Sequence, residues 1–247
     1  MATLELIGAD GETVADAVID PTVEPLPRAL ITSRPDASPT SVADAVVDGL
    51  RGHRLSTREG DVADALVARG AELVRASALM VLGLPAQVSP TDVDVRPLRD
   101  AAAEYGEIVW RAYPPDHPDH DLMDATPAEA AKTVEGYLSG RIVGPLMRDA
   151  SSESWTTDGE LGGLCVVSEM PGDDEFEGSP WITDVCVLPS AQGQGLGRAM
   201  LGHAIRRLSE AGHPTLGLAV TQGSPARKLY EAVGFVERFP AWTLNLT

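Results

Sequence analysis

The sequence predicts an α/β protein with a mixed α+β sheet. Residues 91–247 form the main domain and residues 1–88 a smaller α/β lobe. Three observations carry this. Apolar runs with strand spacing alternate with runs of helical spacing from residue 95 to the end. A segment with two prolines and little periodicity, LPAQVSPTDVDV, interrupts the pattern near Pro85–Asp94. Aromatics are only 4% of the chain, so Ala, Val and Leu must fill the core.

In the larger region, Val95–Leu98 has the pattern of a short strand. Ala101–Ala112 has helical spacing and stops at Pro114-Pro115. A polar loop follows, and Pro127 at a first-turn position opens a helix over Ala128–Gly140. Strands are predicted at Val143–Arg148, Gly162–Met170 and Trp181–Leu188, the last two as a hairpin around the acidic connection PGDDEFEGSP. Leu201, Ala204, Ile205 and Leu208 give one face of a helix over Gly195–Ala211, which Gly212 stops. Thr215–Val220 is an apolar strand. Ser224 as N-cap and Pro225 at the first turn open a helix with the face Ala226, Leu229, Tyr230 and Val233, and Gly234 ends it. Val236–Leu246 is the final strand.

The first region echoes this order with a strand at Ala29–Thr32, helices at Val42–Leu50 and Asp61–Arg69, and a strand at Glu72–Leu82. DALVARGAELVRASALMVL and KLYEAVGFVERFPAWTL share a helix, a glycine and a long strand, the signature of a weak internal repeat.

Asp and Glu outnumber Lys and Arg 37 to 19, a formal net charge of −18. Such a surface repels phosphate backbones and anionic lipid, which argues against nucleic-acid and membrane partners and favours cationic ones. Two cysteines, Cys165 and Cys186, each in an apolar run, predict buried thiols rather than a disulfide framework. The first residues, MATLELIGADGE, lack the basic segment of a signal peptide, so a cytoplasmic protein is expected.

The chemistry concentrates in ITDVCVLPSAQGQGLGRAML. A strand enters a glycine-rich turn, Gln192 to Gly197, and leaves as a helix. Glycines let a ligand approach the backbone, and free N–H groups at a helix start make an anion site. A Walker A loop fails because Arg198-Ala199 follow where Lys-Ser/Thr belong. A dinucleotide fingerprint fails because its sixth position, from Gly193, is Arg198.

The stretch matches Gln/Arg-x-x-Gly-x-Gly/Ala, and SPARKLYEAVGF about thirty residues on matches A-x-x-L-Y-x-x-x-G-F. With the element order, these motifs resemble the GCN5-related N-acetyltransferases (the GNAT family) over residues 91–247. The resemblance implies an acyl-CoA N-acyltransferase fold, acetyl-CoA as co-substrate with no metal, and acetyl transfer to a primary amine in a ternary complex. It implies that backbone groups of Cys186, Val187 and Leu188 meet the pantetheine arm. Gln192, Gly193, Gln194, Gly195, Leu196 and Gly197, with Arg198, would hold the pyrophosphate. Tyr230 matches the general acid that protonates the leaving thiolate.

Asp184 is the candidate base for the ammonium proton, with Glu169, His117 and His120 as rivals. A backbone N–H, that of Val187, would face the oxyanion. Many family members carry Asn before the second motif helix. Gly223-Ser224 stand there instead, so Ser224 is the candidate contact at that turn.

The loop YPPDHPDHDLMD occupies the acceptor side, making Tyr113, His117 and His120 candidate substrate residues, with Asp116, Asp119 and Asp121 beside them. Asp173, Asp174, Glu175 and Glu177 with Phe176 form a second acidic wall. Both walls suit a cationic amine such as a polyamine, an aminoglycoside or a lysine side chain. A metal on the D-H-x-D-H cluster lacks a completing ligand set.

The first region reads RPDASPTSVAD where a repeat would need the glycine loop, and Leu66 or Val67 where it would need the tyrosine. It is expected to be a degenerate GNAT-like half without a cofactor site. Two alternatives to the enzyme are an acyl-CoA sensor without turnover and a tandem acetyltransferase like the mycothiol synthases, which this chain resembles in layout though it is shorter.

Overall fold

The computed structural model describes residues 1–21, 26–120, 124–171 and 178–247. The chain divides into two compact units, Met1–Leu79 with Arg238–Thr247, and Met80–Glu237.

In the first unit, β1 (Ala2–Ile7) and β2 (Thr13–Asp20) form an antiparallel hairpin in which Leu4 faces Ala17. β2 pairs antiparallel with β3 (Arg28–Ser33), and β3 runs parallel to β4 (His53–Thr57) through the crossover helix α1 (Pro39–Gly49). Ser38 caps α1 by accepting the Ser41 N–H at 3.1 Å, and Pro39 fits the first turn. After α2 (Gly60–Val67), β5 (Glu72–Gly83) runs past the unit's end at Leu79. The edge partner of β4 is the far end of the chain, with Leu244 opposite Leu55 and Trp242 opposite Thr57. Val42, Val46, Leu55, Leu66 and Leu244 form its core.

The second unit has the strand order β5-β10-β9-β8-β7-β6, entered at the end of β5, where the Leu84 N–H donates to Pro214 O at 2.8 Å. Its strands are β6 (Asp94–Pro97), β7 (Ser152–Trp155), β8 (Leu161–Met170), β9 (Ser179–Val187) and β10 (Thr215–Thr221). β6 to β9 are antiparallel neighbours, while β10 runs parallel to β9 at Gly217 and Trp181. Its helices are α3 (Ala102–Ala112), α4 (Pro127–Leu138), α5 (Leu196–Glu210) and α6 (Ala226–Val233). Thr126 caps α4 with a reciprocal box, accepting the Glu129 N–H at 3.3 Å and donating to Glu129 Oε2 at 3.0 Å. β11 (Val236–Leu246) leaves this unit and ends in the first.

The α/β class with a mixed sheet is the one the sequence predicts. Three local expectations change. Val143–Arg148 is bent rather than extended as a strand, and it joins β8 through the bridge Leu146–Ser168. Gly140 and Gly144 flank Val143, which itself takes φ 70°, and Pro145 follows, so the segment cannot stay extended. The strand lies instead at Ser152–Trp155, whose polar residues are buried. β1, β2 and β4 are strands the sequence reading passed over. The expected boundary at 88–91 also differs, since Arg238–Thr247 packs with the first unit.

Candidate active site

The site lies in the second unit, in a cavity of about 430 Å³ between the end of β9, the glycine turn, and the first turns of α5 and α6. Val185, Cys186 and Val187 form one wall. The β8–β9 register decides which backbone groups face it. Leu188 donates its N–H to Gly162 O at 2.8 Å, so Gly163 and Val187 oppose each other as a non-hydrogen-bonded pair. The Val187 amide and carbonyl therefore point away from β8, toward the open edge. The same alternation commits Cys186 to Leu164 of β8. Of the three predicted backbone contacts, only Val187 offers both groups. Leu188 is buried in the core.

The turn is held by backbone conformation. Gly193 has φ 79° and Gly195 φ 85°, in the left-handed region where a Cβ is penalised. Gly195 stands at the N-cap of α5 and no side chain caps this helix. The first amide to bond back is that of Ala199, to Gly195 O at 2.9 Å, which leaves the Leu196, Gly197 and Arg198 amides without acceptors inside the helix. All three residues line the cavity, together with Gln192 and Gly193. The Gln192 side chain reaches back to Val187 O at 3.5 Å. That of Gln194 turns to Ser190 O at 3.4 Å, and Gln194 is outside the cavity lining. A Cβ on Gly197 would come within 3.3 Å of Leu229 Cδ2, so α5 and α6 approach closely here.

The opposite end is lined by phenols, and the predicted base Asp184 and the loop residue Asp119 lie outside the cavity lining, Asp184 hydrogen-bonded to one of those phenols. Tyr230, on the cavity face of α6, is 7% exposed and packs edge-on to Phe235. Burial raises its pKa, with the Cys165 thiol and the Asp184, Asp119 and Cys186 charges adding, so it stays protonated at neutral pH. Tyr113 lines the cavity, and its hydroxyl donates to Asp184 Oδ1 at 2.9 Å. Desolvation and the nearby Asp119 push Asp184 up to about 6, against hydrogen bonds from Tyr113 and the Val185 N–H that draw it down. Among the described residues, the charges acting on Asp184, Tyr113, Tyr137 and Tyr230 come from carboxylates, thiols and a phenol.

His117 lines the cavity against Tyr113, whereas His120 is exposed and contacts the Tyr113 carbonyl at 2.8 Å. Glu169 is exposed at the end of β8, outside the cavity lining. Ser224 is buried behind it, accepting the Ala226 N–H at 3.4 Å, and the helix proper starts one residue later than predicted, with Pro225 at the N-cap. Asp121, Asp173, Asp174, Glu175, Phe176 and Glu177 lie outside the described residues. Among the described residues, no three His, Cys, Asp or Glu side chains are arranged to hold a metal.

The sequence reading placed Asp119 in the acceptor loop but gave it no partner. Its Oδ1 accepts from the hydroxyl of Thr221 at the end of β10. It also missed Val185 and Tyr137. No sequence spacing links these residues, since each pairing crosses from a loop or helix to a distant strand.

Comparison with known proteins places this geometry. A curated relative, the [Ribosomal protein bS18]-alanine N-acetyltransferase of Haemophilus influenzae, is 44% identical over 54 residues, which cover 22% of this chain and 37% of that enzyme. The crystal structure of a GCN5-related N-acetyltransferase from Sphaerobacter thermophilus matches with a TM-score of 0.62 at 17% identity, over 98% of this chain and 79% of that one. A tandem GNAT protein from the clavulanic acid biosynthesis pathway matches with a TM-score of 0.52 at 14% identity, over 95% and 80%. At these identities the two structures show a shared fold. The model of the Acetyltransferase (GNAT) family matches residues 102–235, which takes in β9, the glycine turn and Tyr230. The chain belongs to the GNAT acetyltransferase family.

Proposed function

We propose that the protein is an acetyl-CoA-dependent N-acetyltransferase acting on a primary amine borne by a cationic molecule. The observation that carries this reading is the polarity of the cavity. An uncapped helix start with glycines at positive φ forms one end, and protonated Tyr230 lies at the other, with the Asp184 and Asp119 carboxylates close by but outside the lining. The first end suits a pyrophosphate. The second suits an ammonium group and a developing thiolate.

The residues present fit the co-substrate. Amides of Leu196, Gly197 and Arg198 and the backbone of the Gly193 turn would hold the diphosphate, with the Arg198 guanidinium beside it. The Val187 edge would hold the pantetheine arm, in the way a strand takes an extended ligand. Acetyl-CoA supplies an activated thioester and a thiol leaving group. Asp184 takes a proton from the acceptor ammonium, which frees the nitrogen lone pair. The Val187 N–H is the donor closest in kind to an oxyanion hole. Tyr230 gives its phenolic proton to the departing sulfur and regains one from the second proton the attacking nitrogen loses, so products are amide and free thiol. His117 forms part of the acceptor wall.

The curated relative is named for a ribosomal protein, and a peptide amine on a basic protein fits the acidic end as a polyamine would. The first unit is a degenerate GNAT-like half. Its α1 start is closed by Ser38, whereas the start of α5 is open. Two free, buried thiols suit a reducing compartment, the cytoplasm.

Calorimetric titration with acetyl-CoA, followed by thiol release with spermidine, a lysine peptide, glucosamine and glutamate, tests this. Saturable micromolar binding and preference for the cationic amines is expected. Tyr230→Phe should lower turnover at least tenfold and leave acetyl-CoA affinity within about twofold. Binding without turnover of any amine would make the protein a sensor, and no binding at millimolar acetyl-CoA would end the transferase reading.

A further inference from the structure

We propose that Tyr113 is a positioning residue for Asp184, and that the loop from Tyr113 to His120 exists to seat it. This rests on Asp184 being the base in the reading above.

Tyr113 is the first residue beyond α3, with φ −117° and ψ 71°, so its side chain leaves the helix direction just where it must cross to β9. Its hydroxyl donates to Asp184 Oδ1 at 2.9 Å. Two histidines hold the tyrosine from either end. His120 Nδ1 stands 2.8 Å from the Tyr113 carbonyl, which makes that nitrogen the protonated one. His117 packs edge-on to the phenol ring, with centroids 4.9 Å apart at 84°. The loop braces itself in turn. The His117 N–H donates to Pro114 O at 2.8 Å, and the His120 N–H to His117 O at 2.9 Å. Thr221 on β10 ties down Asp119.

The tautomer of His117 matters for the chemistry. Its Nδ1 accepts the Asp119 N–H at 3.1 Å, so the neutral ring carries its proton on Nε2 and faces its surroundings as a donor. Asp184 is the proton acceptor assigned to this end, and its carboxylate is oriented by the Tyr113 hydroxyl and the Val185 N–H. The groups facing Asp184 are Tyr113 from the end of α3, Asp119 from the loop, Tyr137 from α4, Tyr230 from α6, and Cys165 and Cys186 from β8 and β9. Among these side chains Tyr113 is the one that hydrogen-bonds it.

The test is a carbon-13 carboxyl NMR titration of the full chain labelled at aspartate Cγ, with the Asp184 signal identified by its loss in Asp184→Asn. Tyr113→Phe keeps the ring and its packing and removes only the donor. It should move the Asp184 midpoint upward by about one unit. His120→Ala should move it in the same direction by less. An unmoved midpoint in Tyr113→Phe overturns the proposal, and an unmoved one in His120→Ala overturns the role of the loop. The base assignment fails separately. If Asp184→Asn retains wild-type transfer to the amines above, that reading falls. If Asp184→Asn abolishes transfer while Tyr113→Phe leaves the midpoint alone, the base stands and Tyr113 is released from this role.

Discussion

Arg99 donates through Nε to both carboxylate oxygens of Glu153, each at 3.0 Å. The Tyr105 hydroxyl adds a donor at 2.5 Å and Trp155 Nε1 another at 3.0 Å. Glu153 is 1% exposed, so these bonds allow a carboxylate inside β7 and tie it to α3. Glu153→Ala would leave the fully buried Tyr105 hydroxyl without its acceptor. A loss of about 3 kcal/mol is expected, toward the lower end for a buried pair because Arg99 is partly solvated. Glu153→Gln should cost about 1 kcal/mol. Urea denaturation of both variants checks the order.

Gly195→Ala separates fold from binding. Its φ of 85° penalises a side chain, but a Cβ would meet only Val93 Cγ2, at 3.8 Å. About 1 kcal/mol of stability should be lost, with a several-fold weaker acetyl-CoA interaction. Gly195→Asp places a negative charge at the anion site and should weaken binding by about a hundredfold or more. Calorimetry against the melting temperature of each variant distinguishes the two effects.

Asp184 makes stability depend on pH in a definite direction. Its folded pKa, about 6, lies above the ordinary 3.8, so the folded state holds an extra proton between those values. Its contribution is whole below pH 3.8 and is lost as pH rises to about 6. Asp184→Asn should therefore be more stable than wild type above pH 6, by up to about 3 kcal/mol, and lose that advantage toward pH 4. Melting curves at both ends test the sign.

Both thiols should be silent in the native protein. Burial pushes Cys165 up to about 12 and Cys186 well above the usual thiol range. Ellman's reagent at pH 8 should modify neither within minutes, and both after unfolding. Cys186 lines the cavity, so any slow native reaction should occur there and be slowed by acetyl-CoA.

Legibility in the sequence followed locality. The glycine turn could be read because left-handed backbone at Gly193 and Gly195 demands that residue type wherever it occurs. Helices α4 to α6 announced themselves through Pro127, Gly212 and Gly234. β7 stayed hidden because Ser-Glu-Ser has no apolar alternation, and its burial depends on Arg99, 54 residues away. The expected strand at 143–148 opened on Val143, yet that side chain is 37% exposed. The acidic end of the site was half visible. Its residue types could be listed, but the bonds joining Tyr113 to Asp184 and Asp119 to Thr221 span 71 and 102 residues.

The crossing of β5 and β11 between units has a consequence for synthesis. β4 acquires its edge partner only from Trp242–Leu246. His53–Thr57 must therefore wait, one strand short, until a segment made long after it has emerged. A stop at position 238 would spare the glycine turn and Tyr230, and its injury would be felt in a strand made long before it.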